Sequence, residues 1–426
     1  MTHFGLLCVA MTGHLNPMTT LGHELKRRGH RVTLFGVLDA QPKTLAAGLE
    51  FWAIGEEEFA TGASDASFAK MGKLSGLAGS KYTISLFQQL TAMLLREAPQ
   101  AIAAAGVEVL LVDQTSYGGS TVADFLKLPF ISVCCALMLN QEPGVPPIIT
   151  NWSYNPAWWA KLRNQYANKL MWRISQSILE VVTEYRREWK LPPHFHPDDA
   201  FSQLAQICQQ PAEFEFPRQH LPQCFHFNGP YHDPASRKST PFPFEKLTGK
   251  PLIYASMGTL QNRLRSRVFE TIAQACVGLD AQLVIALGGG SSPESLPELP
   301  GIPLIVGYAP QLELLQRATL TITHAGMNTA LESLSNGVPM VAIPITHEQP
   351  GVATRIAWTG TGEVVPLAKL SASRLREAVE RVLTEDSYKE NAVRLQAAIR
   401  RAGGVSRAAD IVEQVAQTGQ PVLAQQ

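Results

Sequence analysis

Short apolar runs alternate with longer segments of mixed polarity along most of the chain. This alternation predicts buried strands that are each followed by a helix, the pattern of parallel sheets with crossover helices. In the first half it predicts strands at 4–10, 31–37, 107–113 and 129–134 and helices at 17–28, 83–104 and 117–127. In the second half it predicts strands at 252–256, 282–287, 303–306, 319–323 and 338–343 and helices at 265–279, 326–335, 348–358, 371–401 and 404–417.

Because the pattern occurs twice, we expect an α/β protein with two doubly wound halves. Four prolines among polar residues mark the stretch 229–250 as a linker. The predicted domains are therefore 1–228 and 251–403, with a C-terminal helix and tail at 404–426 that could pack back on the first domain. Two doubly wound sheets place a ligand cleft between the halves, at the carboxyl ends of their strands.

Composition and charge narrow the class of protein. The 426 residues are 45% hydrophobic and 17% charged, which is typical of a globular chain rather than a disordered one. The 36 basic and 36 acidic side chains leave no basic excess for a nucleic acid. Six cysteines without metal-ligand spacing, together with apolar runs too short to cross a bilayer, favour a reduced, cytoplasmic protein.

The first candidate for chemistry is the turn that follows the first predicted strand. It contains His14, which can accept a proton from a hydroxyl or simply cap the next helix. Asp113 closes another predicted strand and can either orient an imidazole or cap a helix itself. Since both residues lie at the carboxyl ends of strands, the sequence predicts a His–Asp pair in the cleft.

The stretch 308–349 supplies groups for every part of a nucleotide sugar. Tyr308 offers a flat face to a base, and Gln311 can bond its edge. His324, Gly326, Asn328 and Thr329 surround a predicted helix start, where free amides suit a diphosphate. Glu332 can accept from ribose hydroxyls, and Glu348 and Gln349 can hold the hydroxyls of a sugar.

Two glycine-containing turns add to this picture. Ser256, Gly258 and Thr259 follow a predicted strand and could bond phosphate or sugar. The triple glycine 288–290 fails as a dinucleotide fingerprint because Pro293 stands where a third spaced glycine is needed.

The residues of 308–349 resemble the donor-binding signature of UDP-dependent glycosyltransferases of family GT1, which have the two-domain GT-B fold. The run 324–329, His-Ala-Gly-Met-Asn-Thr, is similar to the bacterial type. The runs 112–115 and 139–147 look like bacterial carotenoid (zeaxanthin) glucosyltransferases. Plant members usually carry Trp at the positions of Tyr308 and Met327, and their segment corresponding to 311–324 is longer.

The resemblance implies a role for most of these residues. It makes His14 the catalytic base with Asp113 as its partner. It implies that Tyr308 stacks on uracil, that Gln311 bonds the uracil edge and that Glu332 holds ribose. The diphosphate and glucose sites that it implies consist of His324, Asn328, Thr329, Glu348 and Gln349.

The function expected from this resemblance is inverting transfer of a sugar, glucose first, from a UDP-sugar to a hydroxyl of a lipophilic small molecule. A carotenoid is the first choice of acceptor, and a macrolide, sterol or flavonoid is the alternative. The chain has no Asp-x-Asp, so we expect no metal and no cofactor, with the UDP-sugar as a co-substrate. The Trp-rich segment 152–172 could line the acceptor pocket, touch a membrane surface or merely pack.

Three other classes remain as rivals. A non-catalytic UDP-sugar-binding protein would not need His14 with Asp113. A nicotinamide-dependent oxidoreductase would need a Gly-x-Gly-x-x-Gly turn, which 11–17 lacks. A sugar-nucleotide epimerase of the same fold would need no acceptor pocket.

Overall fold

The computed structural model describes residues 1–74, 76–233, 240–258, 265–289 and 292–424. They form two parallel α/β sheets, one from each half of the chain. The prediction of two doubly wound halves is therefore confirmed.

The first half contains seven strands and seven α-helices within the described residues. The strands are β1 (His3–Leu7), β2 (Arg31–Gly36), β3 (Glu50–Ala53), β4 (Val109–Asp113), β5 (Phe130–Cys134), β6 (Gln206–Cys208) and β7 (Phe225–Phe227). The helices are α1 (Thr12–Arg27), α2 (Gln41–Ala46), α3 (Ala63–Lys73), α4 (Gly76–Ala105), α5 (Gly119–Leu126), α6 (Trp158–Ile174) and α7 (Gln176–Glu188). The strand order is β3-β2-β1-β4-β5-β6-β7, with every pair parallel.

Among its described residues, the second half repeats the plan with six strands. They are β8 (Leu252–Ser256), β9 (Gln282–Ala286), β10 (Leu304–Val306), β11 (Ala318–Thr323), β12 (Met340–Ala342) and β13 (Gly362–Val364), in the order β10-β9-β8-β11-β12-β13. The helices are α8 (Arg265–Cys276), α9 (Gln311–Leu315), α10 (Met327–Ser335), α11 (Gln349–Trp358), α12 (Ala372–Thr384), α13 (Asp386–Ala402) and α14 (Gly404–Thr418).

The central strands of both sheets are buried on both faces, which is why they read as continuous apolar runs. In the first sheet, Phe4 and Leu6 face a core that includes α1 and α14, whereas Leu7 and Leu110 face a core that includes α4 and α7. Helices therefore cover both faces of this sheet. Helix α14, from the C-terminal end of the chain, packs on the first sheet through residues such as Ile411.

A buried ion pair joins the two halves of the chain. The Arg355 guanidinium of α11 donates to both carboxylate oxygens of Glu215, at 2.5 and 3.1 Å, and both side chains are almost fully buried. Burial disfavours the charged carboxylate, yet Arg355 and Arg218 hold the pKa of Glu215 below its usual value. Close by, Gly351 leaves no room for a side chain, since a Cβ there would lie 2.2 Å from the Ile148 carbonyl oxygen.

Several elements differ from the predicted ones. Strands β3, β6, β7 and β13 were not predicted because each has only three or four residues and one of them is polar, which leaves no clear apolar run. The predicted helix 371–401 is two helices, because Glu385 adopts an extended backbone between α12 and α13. Within the described residues, no helix is both long and apolar enough to cross a membrane.

Candidate active site

A cavity of about 850 Å³ lies between the carboxyl ends of the two sheets. Residues from both halves line it. The lining includes all the predicted site residues except Asp113 and Thr259: His14, Ser256, Gly258, Tyr308, Gln311, His324, Gly326, Asn328, Thr329, Glu332, Glu348 and Gln349. Thr259 and the last glycine of 288–290 lie outside the described residues. Twelve of the site residues predicted from the sequence therefore lie in one cleft.

His14 and Asp113 form a hydrogen-bonded pair at the first-half wall of this cleft. The His14 Nδ1 lies 2.8 Å from the Asp113 Oδ2, and both residues are buried. With the Asp113 oxygen as the acceptor, Nδ1 donates and the neutral ring keeps its lone pair on Nε2. Helix α1 begins at Thr12, so His14 lies in its first turn and Pro17 lies inside the helix.

Neighbouring groups fix the Asp113 carboxylate. Thr115 donates its hydroxyl to Oδ2 at 2.5 Å and its amide to Oδ1 at 3.3 Å. The Cys8 thiol lies 3.9 Å from Oδ2. With its oxygens engaged in this way, the carboxylate holds the imidazole in one orientation.

The pair changes the acidity of His14. Burial would lower the pKa of His14, but the charge of Asp113, its hydrogen bond and the charge of Glu348 together raise the pKa above its usual 6.5. The carboxylate therefore stabilises the protonated imidazole, as a base that receives a proton requires.

His14, Asp113 and Cys135 also bring three possible metal-ligand atoms within 4.8 Å of one another. Burial raises the pKa of the Cys135 thiol well above its usual value, which keeps it protonated and weakens it as a ligand. The chemistry of these groups thus suits a hydrogen-bonded pair better than a cation site. That no metal takes part stays a prediction.

On the opposite wall, two glycines hold the imidazole of His324. A Cβ on Gly258 would lie 2.6 Å from the His324 Nε2, and a Cβ on Gly326 would lie 2.5 Å from it. Gly258 also has a φ of 72°, which favours glycine. Both positions therefore require glycine for the ring to lie between β8 and the start of α10.

Helix α10 begins directly after His324 and Gly326. Its N-terminal residue has no side-chain cap, so the first amides of the helix face the cleft without an internal acceptor. Together with the helix dipole, such amides form a site for an anion.

Gln311 and Glu332 contact each other as well as the cleft. The Gln311 Nε2 donates to the Glu332 Oε2 at 2.6 Å, and the Tyr254 hydroxyl donates to the Gln311 Oε1 at 3.0 Å. The Gln311 side chain is therefore fixed by protein groups. Its predicted contact with a base and the predicted contact of Glu332 with ribose stay predictions.

Asn328 connects the two walls. Its Nδ2 donates to the Gly13 carbonyl at 3.0 Å, and its Oδ1 accepts from the Gln209 Nε2 at 3.0 Å. Gly13 precedes His14 in α1. The predicted diphosphate residue thus also sets the distance between the start of α10 and the imidazole.

The loop before α11 presents Glu348 and Gln349. The Gln349 Oε1 accepts from the Ile345 and Thr346 amides at 2.9 and 3.0 Å, which leaves its Nε2 as a donor toward the cleft. His347 adopts the left-handed conformation, with a φ of 55°. Tyr308, at the other end of the cleft, is half exposed and has one ring edge beside Gly289.

His347 is a titratable cleft residue that the sequence analysis did not single out. It lines the same cavity as His14, and its Nε2 is buried with no hydrogen-bond partner among the described residues. Burial and the nearby His14 lower its pKa below the usual value, although Glu348 opposes the shift. Its position directly before Glu348 and Gln349, in a loop that follows a strand, was the available signal.

A second cavity of about 200 Å³ lies within the first half, next to Asp113. Its apolar wall comes from α6, α7 and the residues near them: Val112, Met171, Trp172, Leu179, Val182 and Phe201. Polar groups such as Asn140, Glu142 and Arg218 line the remainder. The hydrogen bond between His14 and Asp113 therefore stands between the two cavities.

The sequence matches one protein family and two full-length relatives. The family described as UDP-glucoronosyl and UDP-glucosyl transferase matches residues 51–401. The zeaxanthin glucosyltransferase of Pantoea ananas is 35% identical over 425 residues, covering 99% of this chain and 98% of that relative. The zeaxanthin glucosyltransferase of Pseudescherichia vulneris is 30% identical over 419 residues, covering 97% of this chain and 98% of that relative.

Solved structures share the fold. The crystal structure of the calicheamicin glycosyltransferase CalG4 has a TM-score of 0.74 to this chain at 22% identity, with 99% of this chain and 100% of that chain covered. This similarity confirms the predicted arrangement of two facing Rossmann-like domains, and at this identity it supports the fold alone.

Proposed function

The chain belongs to the UDP-glucoronosyl and UDP-glucosyl transferase family, and from that membership we propose that it transfers glucose from UDP-glucose to a hydroxyl of a carotenoid such as zeaxanthin. That the protein is a glycosyltransferase acting with a UDP-sugar follows from the family. The choice of glucose and of a carotenoid, the roles of single residues and the inverting mechanism are the proposal.

One observation carries the proposed chemistry. An imidazole that is hydrogen-bonded to a buried carboxylate lies in the same cavity as the uncapped start of α10, which belongs to the other half. A base and an anion site that face each other across one cleft are the two parts that transfer from a nucleotide sugar needs.

In the proposed reaction the acceptor hydroxyl attacks the anomeric carbon of the sugar. His14 accepts the hydroxyl proton at Nε2, while Asp113 stabilises the imidazolium through Nδ1. The new bond joins the acceptor oxygen to the anomeric carbon, and the bond from that carbon to the β-phosphate oxygen breaks. A single displacement of this kind inverts the anomeric configuration.

The departing UDP takes the electron pair of the broken bond. The amides at the start of α10 and the imidazole of His324 are placed to stabilise that charge. One preorganised donor of this type contributes about 3 kcal/mol to the transition state. Thr329 and the Asn328 amide proton not engaged with Gly13 extend the same anion site.

Glu348 and the free Nε2 of Gln349 are placed to hold sugar hydroxyls near His14. The charge of Glu348 already acts on His14, so both lie in the same part of the cleft. The Glu348 carboxylate accepts hydrogen bonds from hydroxyls, and the Gln349 Nε2 beside it donates them. Such a pair suits the adjacent hydroxyls of a hexose.

The second cavity supports a lipophilic acceptor. Its largely apolar wall would hold part of an apolar acceptor whose hydroxyl end reaches the His14 Nε2 in the neighbouring cleft. The two relatives described above, both called zeaxanthin glucosyltransferases, favour a carotenoid among lipophilic alcohols.

Purified protein incubated with UDP-glucose and zeaxanthin should release UDP and form mono- and diglucosylated carotenoid, detected by mass spectrometry. UDP-galactose and a panel of macrolide, sterol and flavonoid acceptors serve as comparisons. Consumption of one of these acceptors while zeaxanthin remains unmodified would refute the carotenoid assignment. UDP binding without any product from any acceptor would instead favour a non-catalytic binding protein.

A further inference from the structure

Helix α6 exposes an unusual amount of apolar surface. Of the 19 large hydrophobic side chains that are exposed among the described residues, six lie on this one helix, and each is between 49% and 74% exposed. They are Trp158, Trp159, Leu162, Tyr166, Leu170 and Ile174. Scattered apolar side chains on a surface are ordinary, but a run along one helix face marks an interaction site.

Helical geometry places these six residues on one side of α6. At 100° per residue they fall within an arc of about 160°. The side chains that line the second cavity, Asn168, Met171 and Trp172, fall on the opposite side of the same helix. Helix α6 is thus a single layer between the surface of the protein and the cavity beside Asp113.

The charge of α6 differs from that of the whole chain. The chain has a net charge of zero, whereas α6 carries Lys161, Arg163, Lys169 and Arg173 and no acidic residue. Lys169 and Arg173 are exposed within the apolar arc. The Arg163 guanidinium lies 4.1 Å above the Trp152 ring and 5.6 Å from the Trp159 ring, which places a further positive charge against aromatic side chains.

We propose that the exposed face of α6 docks on the surface of an anionic lipid bilayer, lying in the plane of the headgroups. Trp and Tyr beside Leu, Ile and basic residues are the composition of helices that bind at the membrane–water interface. A dimer interface of this kind would gain little from basic side chains, because two copies of the face would bring like charges together. An anionic surface complements them.

Docking in this way gives an acceptor dissolved in the lipid a route into the second cavity. This consequence rests on the proposed function. With its outer face in the headgroup layer, α6 places the cavity beside the hydrocarbon in which an apolar alcohol dissolves. A long polyene would then reach Asp113 and His14 without crossing bulk water.

The test measures docking without any acceptor or UDP-sugar, so its result does not depend on the proposed reaction. The full chain is sedimented with phosphatidylcholine vesicles and with vesicles that also contain phosphatidylglycerol. We expect binding that strengthens with the anionic lipid and weakens with added salt. The double variant Lys169→Gln/Arg173→Gln should lose about fivefold in partitioning for each charge removed.

The apolar contribution is tested with the triple variant Leu162→Ser/Tyr166→Ser/Leu170→Ser, which should bind the anionic vesicles at least about tenfold more weakly. The matched control is Leu77→Ser/Val393→Ser/Leu423→Ser, which removes three exposed apolar side chains from scattered positions. The control should bind as the unmodified chain does. Unchanged circular dichroism and melting temperature in both triples show that folding is intact.

Two results would overturn the proposal. One is failure of the unmodified chain to bind vesicles of either composition. The other is binding that the α6 variants leave unchanged. If light scattering instead shows a dimer that the α6 triple abolishes, without vesicle binding, the face is an interface between copies and the bilayer is excluded as its partner.

A second measurement separates docking from chemistry. The α6 triple should glucosylate an acceptor held in detergent at the unmodified rate and an acceptor held in vesicles at least about tenfold more slowly. Equal rates on both would show that docking does not deliver the acceptor. Absence of product from every acceptor would contradict the proposed function while leaving the vesicle result standing.

Discussion

The two walls of the cleft are built in different ways. The wall from the second half comes mostly from one stretch of sequence, 308–349, in which each loop follows a strand of the same sheet. The wall from the first half combines residues that are far apart in the chain, since His14 and Asp113 are 99 positions apart. In the proposed function, a local unit thus binds the nucleotide sugar, whereas the reacting groups depend on how the first sheet assembles.

Replacing His14 should separate the two walls most clearly. We expect His14→Ala to lower kcat by about 10²–10⁴, because the acceptor hydroxyl loses its base. The affinity for UDP should stay nearly unchanged, because the α10 wall is intact. Steady-state kinetics and calorimetric titration with UDP measure the two effects.

The control for this variant is His23→Ala, which removes another imidazole from α1, one that contacts the Ala47 carbonyl rather than the cleft. It should change kcat by less than about twofold. Full activity in His14→Ala would assign the base to another group.

Asp113→Asn tests how Asp113 sets the pKa of His14. In the unmodified protein, kcat/KM should fall as the pH drops through the pKa of His14, which lies above 6.5. The amide removes the negative charge that raises this pKa, so the acidic limb should move to lower pH. The rate on the plateau should fall about 10²-fold, since the imidazolium is no longer stabilised.

The measurement is the pH profile of kcat/KM for both proteins. Asn keeps the size of the side chain, so a limb that stays in place would show that His14 is not the titrating base. A plateau rate equal to that of the unmodified protein would show that Asp113 does not stabilise the imidazolium.

Gly258→Ala disturbs the second wall without touching the first. The new Cβ would meet the His324 ring at 2.6 Å, so the ring must shift within the anion site. We expect KM for the UDP-sugar to rise about tenfold, because small displacements of such donors are costly. Displacement of His324 should also weaken the binding of UDP itself.

Gly278→Ala is the matched control for this change. Gly278 has a φ of 77°, close to that of Gly258, but nothing lies within 4 Å of a Cβ at that position. Both variants should lose about 1–2 kcal/mol of unfolding free energy from the left-handed backbone. A similar KM in the two variants would show that the contact with His324 has no role in binding.

The same contrast explains what the sequence could predict. The strand–loop–helix periodicity and the polar residues at the loops led to both sheets and to His14, Asp113 and the 308–349 wall, because each signal is local. The Glu215–Arg355 pair was not predictable, since it joins residues 140 positions apart from different halves. The contact of Asn328 with Gly13 was missed for the same reason, although Asn328 itself was singled out.

His347 and the exposed face of α6 were missed for other reasons. The left-handed φ of His347 depends on the loop that Gln349 ties to Ile345 and Thr346, and a sequence does not show such bonds. The Trp-rich segment was recognised, but burial alone could decide between packing and exposure. The structure places five of its large apolar side chains outward on α6 and three other side chains against the second cavity.

Asn328→Ala should have the smallest effect and concerns the contact between the walls. The variant loses the 3.0 Å bond to the Gly13 carbonyl, which is worth about 1 kcal/mol. Loss of this bond should lower kcat about fivefold, because Gly13 sets the position of His14, and loss of the second Asn328 amide proton from the anion site should add to KM. Asn336→Ala, at the far end of α10, loses a bond to the Glu332 carbonyl but no contact with the first half, and serves as the control. A loss confined to KM would assign Asn328 to the diphosphate alone, and the two walls would then be positioned independently of this bond.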